Sequence, residues 1–229
     1  MKPVYKPETR EITYDEARWK ILEDKRKRGR EILEHLKKNS IYGILHGSVA
    51  RGDVSSKSDV DIFIPNLTPS YIIELSLEEN IMGREIVQAT PWQLIKGHII
   101  LDNNTTVTFP LVRPKRLEYE FYLFGGQIDL KGIKEKKRVP GMDKRLMMIE
   151  PTEKGHIEYT VFGREAEVAK KIGVSVDIVR ERIDVLRRRD IIGRTGVYLK
   201  RTLSPEESFE EVLKKILDRD VSLRRRAFQ

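Results

Sequence analysis

The chain has 229 residues, of which 39% are hydrophobic and 35% charged, enough to bury the core of one large domain or two small ones. It has no cysteine, which excludes disulfides, thiolate catalysis and cysteine-based zinc sites, and its net charge of +8 favours a polyanionic partner such as nucleic acid. Because no apolar run is long enough to span a membrane and residues 1–7 lack an apolar signal core, we expect a cytoplasmic protein.

The predicted elements of residues 1–150 alternate between helix and strand, which indicates an α/β domain. After an extended segment at 1–13, apolar spacing predicts a helix over 15–38 and strands over 41–46 and 58–64. The rest of the domain is predicted as a helix over 70–79, a strand over 84–90, a hairpin of 98–101 with 105–109, a helix over 114–124, a loop over 131–144 and a strand over 146–149.

The strand at 41–46 runs into Gly47-Ser48, and ten residues later a second strand carries Asp59 and Asp61. Side chains two apart on a strand share a face, so the two carboxylates lie side by side and repel each other unless a cation separates them. A hard divalent cation, Mg²⁺ or Mn²⁺, suits such a pair. Gly47 lets the backbone approach a phosphate closely, and the Ser48 hydroxyl can donate a hydrogen bond to it.

Residues 47–64 resemble the signature of the DNA polymerase β-type nucleotidyltransferase superfamily, including the Ala-Arg-Gly that follows Gly-Ser. The resemblance implies an α/β (α+β) domain with a mixed sheet and an NTP substrate. It also implies catalytic, metal-binding roles for Asp59 and Asp61, and binding of the nucleotide phosphates by Gly47 and Ser48.

Two features of this site leave alternatives open. Arg51 either neutralises phosphate charge or is an ordinary surface arginine. The superfamily has a third carboxylate on a later strand, but residues 106–108, where the second arm of the hairpin would place it, contain no acid. The remaining candidates are Glu85, Asp102 and Asp129, and the third carboxylate could also be absent.

The C-terminal part has a different character, and we assign residues 157–229 to a second domain. Helices are predicted over 164–172 and 176–189 with a Gly-Val-Ser turn between them, followed by a small basic hairpin over 191–201. This order resembles a winged helix-turn-helix domain. A last helix is predicted over 205–218, and 224–226 is a basic tail.

Residues 180–201 contain eight Lys or Arg and three Asp or Glu, by direct count. Basic side chains on a winged helix would contact phosphates and supply affinity without sequence information. The candidate nucleic-acid-binding residues are Arg180, Arg187, Arg188, Arg194, Lys200 and Arg201. DNA and RNA are not distinguished, and the alternative is that the domain docks a protein.

These observations predict a metal-dependent nucleotidyltransferase that moves an NMP from NTP to a hydroxyl on a macromolecular acceptor docked by the winged helix. The alternative is a DNA-binding regulator whose nucleotidyltransferase domain senses nucleotide or is inactive. The complete Gly-Ser and Asp-x-Asp motifs favour the enzyme, whereas the missing third acid favours the regulator. The acceptor, the NTP and the oligomeric state remain open.

Overall fold

The computed structural model describes residues 3–5, 8–102, 104–193 and 196–228. Their helices and strands are, in chain order, β1 (Arg10–Thr13), α1 (Glu16–Lys38), β2 (Ile44–His46), α2 (Ser48–Arg51), β3 (Val60–Phe63), α3 (Ser70–Leu77), β4 (Gly83–Gln88), β5 (Lys96–Asp102), β6 (Thr105–Pro110), α4 (Arg116–Phe124), β7 (Gln127–Asp129), α5 (Leu130–Lys134), β8 (Gly141–Met142), β9 (Met147–Thr152), β10 (Gly155–Thr160), α6 (Glu165–Ile172), α7 (Val176–Ile192), β11 (Leu199–Thr202), α8 (Phe209–Arg219) and α9 (Val221–Ala227).

A seven-stranded sheet forms the centre of the molecule, with spatial order β11-β4-β5-β6-β3-β2-β7. Strands β3 and β6 run parallel, and every other neighbouring pair in this sheet is antiparallel. The predicted mixed sheet is therefore confirmed. Strands β2 and β3, which flank the Gly-Ser motif and carry Asp61, are adjacent and antiparallel, with His46 opposite Asp61.

Alternation along β3 fixes which of its side chains enter the core. Val60 and Ile62 are 2% and 0% exposed, and they pack in one hydrophobic cluster with apolar side chains of α1. Helix α1 comes close to β2 at Gly29, where an added Cβ would lie 3.1 Å from Cδ1 of Leu45. Because Asp61 stands between Val60 and Ile62 in sequence, it lies on the opposite face of the sheet, away from α1.

A second, antiparallel sheet has the order β1-β10-β9-β8. Residues 10–13, which the sequence predicts only as part of an extended segment, are an edge strand paired with 155–158. The buried Tyr14 hydroxyl lies 2.6 Å from Nδ1 of His156 and ties this strand to β10. The predicted loop over 131–144 contains most of α5 and all of β8, two short elements that its Gly- and Lys-rich composition conceals.

The structure divides residues 157–229 between two cores, which corrects the expectation of one winged-helix unit. Helices α6 and α7 pack with Phe124, Met148 and Tyr159 in one cluster, and the predicted helix-turn-helix is present there. The segment predicted as the wing contributes β11, which pairs with β4 at the edge of the large sheet. Helices α8 and α9 pack on the same core as that sheet.

The predicted basic tail is part of α9, where Arg226 is 1% exposed and donates to Glu118 at 2.6 Å. Within the described residues no helix combines the length and the apolar character that crossing a membrane requires.

Candidate active site

The Gly-Ser turn has a backbone conformation that glycine adopts far more easily than any other residue. Gly47 has φ 78° and ψ −148°, and its N–H donates to the carbonyl of Gly126 at 2.9 Å. A Cβ at this position would meet nothing within 4 Å, so the turn borders open space. Ser48 begins α2 directly afterwards, and its hydroxyl makes no hydrogen bond to any part of the chain that the structure describes. Backbone and hydroxyl are therefore able to meet a ligand.

Helix α1 holds this turn from behind. The buried Arg26 donates to the carbonyls of Val49 and Ala50 at 3.0 and 2.9 Å. Burial lowers the pKa of Arg26 to about 10. Because α1 and β2 share a core, the position of Gly47 depends on the packing of the whole domain and not on the turn alone.

The two aspartates lie at the start of β3. Asp59 is exposed and directly precedes the strand, whereas Asp61 is partly buried within it. Burial raises the pKa of Asp61, and the positive charges of Lys144 and Lys96 act in the opposite direction. A carboxylate in this position gains most from a nearby cation, because its charge is incompletely solvated.

Among the residues that the structure describes, no third carboxylate joins the pair. The residue opposite Asp61 on the adjacent strand β6 is Thr106. Glu85 lies three strands away, about 14 Å at ordinary strand spacing, and pairs with Lys200 at 3.1 Å. Asp102 is bound to Arg28, and within the described ranges no three His, Cys, Asp or Glu side chains are grouped so that they could hold a metal ion.

Asp129 is engaged in local structure. Its carboxylate is the N-cap of α5 and accepts from the Gly132 N–H at 2.8 Å. Its apolar neighbours in sequence, which made it the best-placed candidate, are explained by the short strand β7 that leads into this helix.

The pair and the turn together fit one divalent cation. Mg²⁺ is commonly held by one or two protein carboxylates together with the phosphates of a bound nucleotide. Asp59 and Asp61 would supply those carboxylates.

Arg51 faces inward, which corrects the expectation that it meets a phosphate. It is 5% exposed and forms a two-bond ion pair with Asp53, both bonds at 2.9 Å. Its Nη1 atom donates to the carbonyls of Gly125 at 2.5 Å and Met142 at 3.1 Å. Every nitrogen of the guanidinium is engaged within the protein, so Arg51 fastens the turn to two distant segments.

Two lysines that sequence reasoning missed lie near the carboxylates. Lys144, exposed in the loop between β8 and β9, and Lys96, the first residue of β5, both act on Asp61 and on His46. Burial is the main reason that the pKa of His46 falls to about 3, so this imidazole is neutral at pH 7. Neither lysine has a sequence signal, because each reaches the site from a different part of the chain.

Aromatic side chains form one wall beside the aspartate strand. Tyr122 of α4 stacks on Phe63 of β3 with ring centroids 3.6 Å apart, and it meets His46 edge-on at 4.9 Å. Phe121 lies edge-on to Tyr122 at 5.3 Å. The wall therefore connects β3 with helix α4.

The candidate nucleic-acid-binding residues fall into three groups. Arg180, Arg187 and Arg188 are exposed on α7. Lys200 and Arg201 are on β11 and pair with Glu85 at 3.1 Å and Glu207 at 2.8 Å, so acids offset their charge. Arg194 lies outside the described residues.

Residues 26–96 match the family model described as nucleotidyltransferase domain. The matched segment extends from α1 to the first residue of β5, and it includes the Gly-Ser turn and both aspartates. Comparison with curated proteins and with solved structures gives no match. The family match supports the nucleotidyltransferase superfamily and, with it, a general capacity for NMP transfer.

Proposed function

We propose that this protein is a metal-dependent nucleotidyltransferase that transfers an NMP from NTP to a hydroxyl of a macromolecular acceptor. The observation that supports this most strongly is the placement of Gly47 and Asp61. His46 is opposite Asp61 in the register of β2 and β3, so the open turn that follows His46 lies at the same end of the sheet as the two carboxylates. Both features fall within the matched segment.

In this proposal each residue near the turn has a defined task. The Gly47 backbone and the Ser48 hydroxyl bind the phosphates, and Lys144 offsets their charge from the facing loop. Asp59 and Asp61 would hold Mg²⁺ or Mn²⁺, which when bound neutralises charge on the triphosphate. The neutral imidazole of His46 adds no positive charge beside Asp61 at pH 7.

The transfer step is a substitution at the α-phosphorus of the NTP. The acceptor oxygen forms a bond to that phosphorus, the bond to the bridging oxygen breaks, and pyrophosphate leaves. The proton of the acceptor hydroxyl passes to water, because the position opposite Asp61 holds Thr106, whose hydroxyl is no base at neutral pH. We therefore expect slow transfer.

The experiment that tests this function uses labelled NTP with RNA, DNA and protein acceptors. Wild-type protein should label one class of acceptor, and Asp59→Asn should abolish labelling. Thr106→Asp would supply a base, an effect that typically contributes about 10²–10⁴-fold, so it should accelerate transfer. Thr108→Asp, two residues along the same strand and opposite Phe63 instead of Asp61, is the matched control and should not.

The regulator hypothesis is the second candidate, and the absence of a third carboxylate near Asp61 among the described residues is the observation that favours it. It predicts nucleotide binding without labelling of any acceptor, in wild type and in Thr106→Asp alike. For either function we propose that nucleic acid docks on the exposed arginines of α7, since Arg180, Arg187 and Arg188 have no carboxylate partner in the part of the chain that the structure describes.

A further inference from the structure

Two cations on the catalytic side of the large sheet lack anionic partners among the described residues. The first is Lys96, which lies partly buried at the start of β5. Asp61 and Glu118 both lie near enough to act on its charge, yet Lys96 forms no salt bridge or hydrogen bond with any described residue. Glu118 is already engaged, because it accepts from Arg226 at 2.6 Å and from the Lys115 N–H at 2.7 Å.

The second cation is Arg182 of α7. Its guanidinium lies 5.0 Å from the centroid of Phe121, at the end of the aromatic wall that reaches β3. Burial lowers its pKa to about 10, and within the described part of the chain it has no carboxylate partner. Asp177, on the same helix, does not serve it, since this carboxylate pairs with Arg116 at 3.2 Å.

Lys96 and Arg182, the cation pair, also repel each other. Burial lowers the pKa of Lys96, and Arg182 lowers it further against the opposing effects of Glu118 and Asp61. Two like charges that are partly removed from water and unpaired are unfavourable, and an anion between them removes both penalties. The planar guanidinium matches phosphate geometry with two parallel hydrogen bonds, and a lysine adds a point charge.

We propose that Lys96 and Arg182 bind a phosphate group of the nucleotide, so that helix α7 supplies part of the nucleotide site. This inference rests on the proposed function. It deepens it because Arg182 lies far outside the matched segment, on the same helix that exposes Arg180, Arg187 and Arg188 on another side. One helix would then contact the nucleotide and the docked nucleic acid.

The test compares full-length wild type with Lys96→Gln, Arg182→Gln and Lys170→Gln. Lys170 is exposed on α6, so its variant removes the same charge from the same helical pair without touching the cation pair. Calorimetry with ATP and Mg²⁺, with inorganic tripolyphosphate and with adenosine should show at least tenfold weaker binding of the first two to Lys96→Gln and Arg182→Gln. Adenosine binding should be unchanged, and Lys170→Gln should bind all three like wild type.

Unliganded Arg182→Gln should melt no lower than wild type, because it removes an unpaired charge, and its stabilisation by tripolyphosphate should be smaller. A merely structural arginine would instead lower the melting temperature and leave affinity unchanged, which would overturn the proposal. Loss of duplex DNA affinity with wild-type ATP affinity would also overturn it.

The failure of the proposed function is distinguishable. If wild type binds tripolyphosphate in a manner that depends on Arg182 but labels no acceptor, the cation pair stands and the transferase does not. If wild type binds neither ATP nor tripolyphosphate, the cation pair is refuted.

Discussion

Replacing Gly47 by alanine separates the two properties of the Gly-Ser turn, its strained backbone and the open space beside it. With φ 78° and ψ −148°, this residue lies close to a region that is essentially restricted to glycine, and holding another residue there costs about 1–3 kcal/mol. Since the new methyl group would meet no protein atom within 4 Å, no clash adds to this cost. A domain of this size loses about 2–4 °C per kcal/mol, so the melting temperature should fall by about 2–12 °C.

The methyl group would instead occupy the space where we place the phosphates. Gly47→Ala should therefore bind ATP and Mg²⁺ at least about tenfold more weakly, equivalent to about 1.4 kcal/mol. Gly163→Ala is the matched control, because Gly163 also has φ 78° and open space where a Cβ would stand, but it lies outside the site. Thermal unfolding and calorimetry on both variants give the answer. Wild-type affinity in Gly47→Ala, or an equal loss in Gly163→Ala, would refute the reasoning.

Three further predictions concern stability and nucleic acid. Arg51→Ala leaves Asp53 buried and unpaired, so it should destabilise by about 3–5 kcal/mol in urea unfolding, whereas exposed Lys57→Ala should change little. The buried His98 has its pKa lowered to about 3, so the unfolded chain takes up a proton near pH 6.5 that the folded chain refuses, and stability must fall as pH falls below that value. Its share is about 1.4 kcal/mol per pH unit between 6.5 and about 3, and His98→Gln should flatten the pH dependence by this amount; an unchanged slope contradicts the assignment. Replacing residues 187–189 by alanine in the full-length chain should weaken duplex binding and reduce the salt slope by about 0.9 for each phosphate that the variant no longer neutralises, while a wild-type slope near zero would indicate a protein-docking surface.

The Gly-Ser and Asp-x-Asp motifs were predictable because every signal they depend on is local. Strand alternation places Asp61 opposite the core without knowledge of any distant residue, and Gly47 has the backbone that its residue type favours. The helix-turn-helix was predictable for the same reason, since Ser175 accepts from the N–H of Ile178 at the start of α7. Periodicity and caps are properties of short segments.

The residues whose roles differ from expectation are those whose partners lie far away in sequence. Arg51 binds the carbonyls of residues 74 and 91 positions later, and nothing near it in sequence indicates this. The segment containing β11 alternates like one arm of a hairpin, but its partner is β4, so a wing and an edge strand have the same pattern. Lys96, Lys144 and Arg182 come from three separate elements, and only the packing of those elements brings them to one side of the sheet.

The central claim, that Asp59 and Asp61 bind a divalent cation together with NTP, is tested most directly by calorimetric titration of ATP with and without Mg²⁺. Wild type should bind ATP more tightly when Mg²⁺ is present. In Asp61→Asn, which keeps the shape of the side chain but removes its charge, Mg²⁺ should no longer strengthen ATP binding. Equal affinity of the wild type with and without Mg²⁺, or a Mg²⁺ effect that survives in Asp61→Asn, would contradict the claim.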